Sequence, residues 1–303
     1  MVLLWYLTEG SSFDTASGGT HNIRLSFIWS SHPLAISQDE LFMIATSIKT
    51  RPLLPPQDNL LEVINESITK LDEGDVVAVS SKVVAIWQGR CVPIPKNYED
   101  HKKLKDKLIR GEADYYVEKD EHFQYSRIFT IYEGIFGSSA GIDESNGDGY
   151  FIFLPKDSPE VARTINAFLR KKFGLKNIGV VIVDSRTTVM RNGVVGIALG
   201  HAGFNALYDY RGRKDIFGRE LHFERLHVAD CIATTATLIM GEGDECAPLA
   251  VLSDIPHIDF NEREDDDSML LPCVPREDDV FAQFLHSAKW QKGNQEIDSH
   301  EKD

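Results

Sequence analysis

Gly74-Asp-Val-Val-Ala-Val-Ser-Ser-Lys-Val-Val-Ala-Ile86 decides how the rest of the chain is read. Its valines are β-branched and nearly continuous, the composition of a buried strand. Upstream, Asn59–Leu71 sets Leu60, Leu61, Ile64, Ile68 and Leu71 on one helical face. Downstream, Lys96–Arg110 is charged and helical in pattern, and Arg127–Ile135 and Tyr150–Leu154 read as strands. Ser158–Phe173 reads as a helix with Ser158 as N-cap, Pro159 in the first turn and Gly174 at the exit. Ile178–Val183 is a short apolar strand, and Val194–Leu199 and Arg219–Val228 are further strands. Asp230–Met240 is a small-residue helix closed by Gly241. Strands and helices interleave without the regular cadence of a doubly wound sheet. The pattern predicts an α+β fold with mixed, largely antiparallel sheets and flanking helices. No internal repeat is found.

The compact domain is expected over residues 43–258. Residues 1–42 are rich in Ser, Thr and Gly and lead to a second methionine, Met43. They are expected to be a flexible extension or an overlong gene start, with a short extra strand as the alternative. Residues 259–303 hold the acidic stretch Asp259–Asp267, a short helix and a polar tail after Lys292, the tail expected to be disordered.

At 303 residues and 42% hydrophobic, the chain can bury a substantial core. Its formal charge of −15 repels polyphosphate backbones, so a general nucleic-acid binder is not expected. A bound nucleotide would need metal ions or a local basic cluster to offset its charge. Cys91, Cys231, Cys246 and Cys273 are widely spaced with no C-x-x-C pair, which fits a reducing cytoplasm. No apolar run reaches the roughly 20 residues needed to span a bilayer. Met1–Leu7 lacks the basic flank and small-residue site of a signal peptide.

Four segments carry chemistry. Ser80-Ser81-Lys82 interrupts the valine-rich run with two hydroxyls and an ammonium, either to contact phosphate or because the strand surfaces there. Gly137-Ser-Ser-Ala-Gly-Ile-Asp143-Glu-Ser-Asn146-Gly-Asp-Gly149 lets backbone approach a ligand and presents hard oxygens of the kind Mg²⁺ and Mn²⁺ prefer. It lacks the EF-hand spacing, and a solvated turn is the plainer reading. Asp184-Ser185 follows the apolar strand, as a directed metal ligand pair or as an Asx-type turn. Asp209-Tyr-Arg211-Gly-Arg213-Lys214-Asp215-Ile-Phe-Gly218-Arg219 is a basic cluster able to clasp phosphate or carboxylate, or else a charged turn with internal Asp–Arg pairs. His222 and His227 lie five apart in an expected strand and would face opposite sides. No P-loop, G-x-G-x-x-G or G-x-S-x-G is present.

Taken in order, these segments resemble the coenzyme F420-0:L-glutamate ligase family over roughly residues 46–255. The resemblance runs through Val76–Gly89, Ala140-Gly-Ile-Asp-Glu-Ser-Asn146, Asp184-Ser185, Arg191-Asn-Gly193 and Gly196–Gly203. It continues through Asp209-Tyr-Arg-Gly212, Asp215-Ile-Phe-Gly-Arg219, Val228-Ala-Asp230 and Met240-Gly-Glu-Gly243. It implies a ligase fold of that family and Asp143 and Asp184 as metal ligands, with Ser185 and Glu242 completing a site for two Mg²⁺ or Mn²⁺ ions. It implies that Pro52, Leu53, Leu54, Ser81, Asn146 and the loop Met240–Ala247, with Gly241, Glu242 and Gly243, line a nucleotide; Ser80 is grouped with them. Family members use GTP, form an acyl phosphate, pass it to L-glutamate and associate as homodimers. Arg191, Arg211 and Arg219 are assigned to anionic substrate groups from charge alone.

Two departures matter. The family's S-K-x-E-G reads Ala85-Ile86-Trp87-Gln88-Gly89 here, with Ile86 in place of a nucleotide-contacting lysine. Its F-G-R-P-W is Arg186-Thr-Thr-Val-Met190. They point to a divergent branch with another acceptor, such as a folate-type pterin–glutamate compound, or with ATP as co-substrate. Small-molecule substrates are expected, without nucleic acid or membrane. The alternatives are a metal-dependent phosphohydrolase using the same carboxylates and a non-catalytic nucleotide-binding protein.

Overall fold

The computed structural model describes residues 43–123, 126–260 and 273–293. The expectations for residues 1–42, for 261–267 of the acidic stretch and for the tail from 294 lie outside the described residues. The described chain opens with β1 (Ile44–Ile48), α1 (Leu60–Ser67), β2 (Val76–Ser80) and α2 (Ser81–Trp87). It continues with β3 (Cys91–Pro93), α3 (Tyr98–Glu112), β4 (Tyr115–Val117), β5 (Phe129–Tyr132), β6 (Ile135–Ser138) and β7 (Tyr150–Ile152). Then come α4 (Ser158–Phe173), β8 (Gly179–Thr187), β9 (Val194–Ala202), β10 (Leu207–Asp209) and β11 (Arg225–His227). It closes with α5 (Val228–Met240), β12 (Leu249–Ser253), α6 (Ala282–Ser287) and β13 (Gln291–Lys292).

A five-stranded sheet in the order β1-β12-β2-β8-β9 forms the centre. Its β2–β8 pair is parallel and the other pairs are antiparallel. Both faces of this sheet are covered, which explains why its central strands are apolar throughout. Val77 and Val79 of β2 and Val180 and Ile182 of β8 face a core completed by α1, α2 and α4. Val76, Ala78, Val181 and Val183 point the other way, into a second core under α5. A separate sheet, β13-β4-β5-β6, flanks this layer, with small ribbons β3-β7 and β10-β11. The fold is α+β with largely antiparallel pairing, as the sequence implies. No helix among the described residues is long and apolar enough to cross a membrane.

Several elements differ from expectation for physical reasons. The valine-rich run is a strand only to Ser80; Ser81 opens α2, whose Val83, Val84 and Ile86 are buried in the first core. Burial against neighbours overrides the β preference of valine. The second apolar strand does not stop at Val183 but carries Asp184 and Ser185 inside β8, just past a register shift at Ile182/Val183. Such bulges re-aim the residues beside them. Arg127–Ile135 splits into a hairpin, because Glu133 and Gly134 both take positive φ (48° and 78°) and turn the chain in two residues. Asp157, with φ 51°, occupies the cap position of α4, and Ser158 is its buried first residue. The strand expected over Arg219–Val228 shrinks to β11, leaving His222 in a turn region.

Candidate functional site

The junction of β2 and α2 sits beside β8, with Ser80 paired to Val183. The first residues of α2 therefore meet Asp184. The Ser81 hydroxyl donates to Asp184 Oδ1 at 2.6 Å. Lys82 Nζ donates to Asp143 Oδ2 at 2.7 Å and to the Ser145 carbonyl at 2.6 Å. Asp143 is fixed by a bridge to Ile152 and accepts from the Glu144 and Ser145 backbone N–H groups. Glu144 turns away to His101 and Lys105 on α3, so it anchors the loop rather than lining a cavity. Beyond α5, Glu242 Oε2 accepts from the Ser185 hydroxyl at 3.2 Å, and Asn146 Nδ2 holds the Gly243 carbonyl at 2.8 Å.

These groups surround a cavity of about 540 Å³. Its wall includes Asp143, Asp184, Ser185 and Glu242 of the expected metal set. It also includes Pro52, Leu53, Ser80, Ser81, Asn146, Met240, Gly241 and Gly243 of the expected nucleotide set. Leu54 lies outside it, on the exposed side of its segment. A second cavity of about 370 Å³ meets the first at Asp143, Asp184 and Ser185.

The two aspartates differ electrostatically. Burial would raise the Asp143 carboxyl, but Lys82 and Ser145 outweigh it and hold the group at about 2. Burial pushes Asp184 up to about 6, against the hydrogen bonds from Ser81 and the Ser185 backbone, and the charge of Asp143 adds to the rise. A cation beside Asp184 would relieve that desolvation. Among the described residues, no three His, Cys, Asp or Glu side chains form a ready-made metal cluster. The donors are spread instead as carboxylates and a hydroxyl around one cavity. That set fits Mg²⁺ or Mn²⁺, which takes one or two carboxylates and completes its shell with phosphate oxygens and water.

Arg191, Arg211 and Arg219 line neither cavity. Arg211 is clamped by Asp209 through Nε and Nη2, the internal pair of a charged turn, and the Arg219 backbone N–H binds Asp215. Arg213 lies over Tyr208 and Tyr210. Net charge along a segment says nothing of these local pairings. The cations that do line the cavities are Arg51 and Lys82 in the first and Arg127 and Arg186 in the second. Lys82 stands in the Ser80-Ser81-Lys82 motif, but no spacing marks the three arginines.

A family model described as F420-0:Gamma-glutamyl ligase matches residues 48–254. The coenzyme F420:L-glutamate ligase of Methanopyrus kandleri is 34% identical over 65% of this chain and 81% of its own length. Its namesake in Methanocaldococcus jannaschii is 33% identical over 74% of this chain and 90% of its own. The protein of that name in Methanothermobacter thermautotrophicus is 29% identical over 77% and 96%.

Proposed function

This chain belongs to the F420-0:gamma-glutamyl ligase family, and from that premise we propose that it joins L-glutamate to a small-molecule carboxylate using GTP or ATP. It is an enzyme of the class that forms C–N bonds. The observation that carries the finer reading is the grouping of Asp143, Asp184, Ser185 and Glu242 with Arg51 and Lys82 around one cavity.

In this reading the acceptor carboxylate attacks the γ-phosphorus, the bond to the β-phosphate breaks, and a nucleoside diphosphate leaves. The amine of L-glutamate then attacks the acyl carbon. The bond to phosphate breaks, inorganic phosphate departs, and the nitrogen loses a proton to complete the amide. Two Mg²⁺ or Mn²⁺ ions held by Asp143, Asp184, Ser185 and Glu242 would neutralise charge at the phosphates. The chain itself supplies orientation. Ser81 fixes Asp184, Lys82 fixes Asp143, and Asn146 pins the Met240–Gly243 turn through the Gly243 carbonyl. Arg51, paired with Asp58, braces the segment at the nucleotide end. Such preorganised groups do not have to rearrange as charge develops.

Ile86 on the nucleotide cavity and Arg186 on the second cavity support a branch whose acceptor or nucleotide differs from the family pattern. F420-0 and a folate-type compound are the acceptors proposed. Nucleotide dependence and four free cysteines fit a cytoplasmic setting. A homodimer completes the reading, supported by Ile216 and Phe217, which are 92% and 90% exposed in the turn region between β10 and β11.

Phosphate release from GTP and ATP, with Mg²⁺ or Mn²⁺ and with or without L-glutamate, tests the proposal across F420-0 and reduced folates. Release is expected to require both glutamate and one acceptor and to fall at least roughly a hundredfold in Asp184→Asn. Release indifferent to glutamate would replace ligation with nucleotide hydrolysis.

A further inference from the structure

Building on the ligase reading, we infer that the second cavity is the acceptor pocket and that Arg186, assisted by Arg127, selects acceptors carrying a second anionic group close to the carboxylate that reacts. The cavity shares Asp143, Asp184 and Ser185 with the nucleotide cavity, so a molecule in it reaches the same carboxylates. Phosphoryl donor and acceptor must meet at one point, and these three residues are where the two spaces join.

The walls define the class of molecule. Ile135, Phe136, Leu154, Val194 and Leu199 give an apolar lining suited to a flat ring system. A volume of about 370 Å³ is far more than the carbon chain of glutamate would fill. The cationic lining is Arg127 at the exposed side and Arg186 on β8. Arg186 Nε is buried and has no hydrogen-bond partner. That nitrogen is closed to solvent, so an anionic ligand would be met by the part of the guanidinium that lines the cavity, and its charge would offset the cost of leaving Arg186 without a protein partner.

Position along the strand fixes the spacing. Asp184 and Arg186 are two residues apart on β8, so their side chains share a face at about 7 Å. An acceptor whose reacting carboxylate meets a cation that Asp184 would hold would therefore bring to Arg186 an anionic group only a few bonds away. A glutamate-terminated pterin, with neighbouring α- and γ-carboxylates, meets this requirement. So does a lactyl carboxylate next to a phosphodiester, as in F420-0. A ring bearing one carboxylate does not.

The test is calorimetric titration of the full chain with Mg²⁺ and a non-hydrolysable GTP analogue present. Folic acid, F420-0, pteroic acid (one carboxylate on the same ring system) and L-glutamate are added separately. Folic acid or F420-0 is expected to bind, and Arg186→Gln to weaken it roughly ten- to a hundredfold, the loss of a charge-assisted pair. Arg186→Lys should recover part of this affinity, and Arg127→Gln, at an exposed site where folding is not at stake, should weaken it severalfold. Pteroic acid and the nucleotide analogue should be indifferent to all three changes.

Unchanged affinity for folic acid and F420-0 in Arg186→Gln overturns the inference. So does a loss confined to L-glutamate, which would give the cavity to the amino acid. Binding of the nucleotide analogue with neither acceptor probe overturns it too, but leaves the ligase reading standing. Failure of the nucleotide analogue itself to bind strikes the ligase reading, and the inference falls with it.

Discussion

Asp58 accepts hydrogen bonds from Arg51 Nη1 and Nη2 at 2.6 and 3.0 Å, and from the backbone N–H groups of Leu54 and Asn59. It thereby ties down the segment whose Thr50, Arg51, Pro52 and Leu53 wall the first cavity. The guanidinium holds the Asp58 carboxyl well below the usual carboxylate range, with the backbone donors adding to the effect against a burial cost. The folded state therefore binds this proton less readily than the unfolded chain does. The associated stability is present above about pH 4, the ordinary aspartate range, and is lost as pH falls below it toward the folded value. Asp58→Asn is expected to lower Tm at pH 7 by roughly 2–4 °C, and to flatten the decline of Tm between about pH 5 and 3. A thermal melt series across that range checks it. A wild-type-like acid decline in the variant would mean that other carboxylates dominate. The pairing also marks what a sequence can reveal at this scale. Asp143 and Asp184 stood out only through the family resemblance, since by themselves a glycine-rich loop reads as a solvated turn and a carboxylate after an apolar strand as an Asx-type turn; the structure places both on one cavity wall. Arg51 did not stand out, because a cation's partner depends on the folded path, and the same ignorance made Arg211 look available when Asp209 holds it.

Helix α5 shows how an element far from the chemistry positions it. It packs across β9, and at Gly196 the approach is so close that an added Cβ would sit 2.3 Å from the Ala233 carbonyl oxygen and from Thr237 Oγ1. Thr234 Oγ1 donates to the Gly196 carbonyl at 2.8 Å, locking the contact. The helix ends in the Met240–Gly243 turn of the first cavity, so its seating sets that wall. Gly196→Ala must move backbone rather than a flexible side chain, an overpacking cost of about 1–3 kcal/mol. Urea unfolding should show a lower midpoint with an unchanged slope, and nucleotide affinity should fall in parallel. A variant with lost stability but native nucleotide affinity would show that the turn is held by Asn146 instead. Helices α4 and α5 and the cores of β2 and β8 were readable from periodicity and terminal glycines. The switch from strand to helix at Ser81 was not, since valine-rich sequence carries the same apolar signal in either conformation and only packing against α1 and β8 chooses between them.

At the scale of the whole molecule, the described residues leave several apolar side chains exposed. Ile216 and Phe217 stand in a turn whose backbone is braced by Asp215, which accepts from the N–H groups of Phe217 and Arg219 at 2.8 Å. Val189 and Met190, at the β8–β9 turn, are 76% and 95% exposed. Single exposed apolar residues are ordinary, but two consecutive ones presented by a braced turn resemble an interface anchor. A chain of charge −15 also resists casual association, so any contact it makes must be specific enough to outweigh repulsion. The expected species in solution is a homodimer, read by light scattering as twice the 34.1 kDa chain mass. Replacing Ile216 and Phe217 together by Asp should produce a folded monomer, because neither side chain supports the core of its own chain and both would carry charge into the contact. Since Arg211 and Arg219 flank the same turn, the monomer's turnover separates two uses of that region. Full activity would confine the turn to assembly, whereas loss of turnover with intact nucleotide binding would mean that the dimer completes a site left open in the single chain. A wild-type protein that runs as a monomer at micromolar concentration would refute the assembly outright.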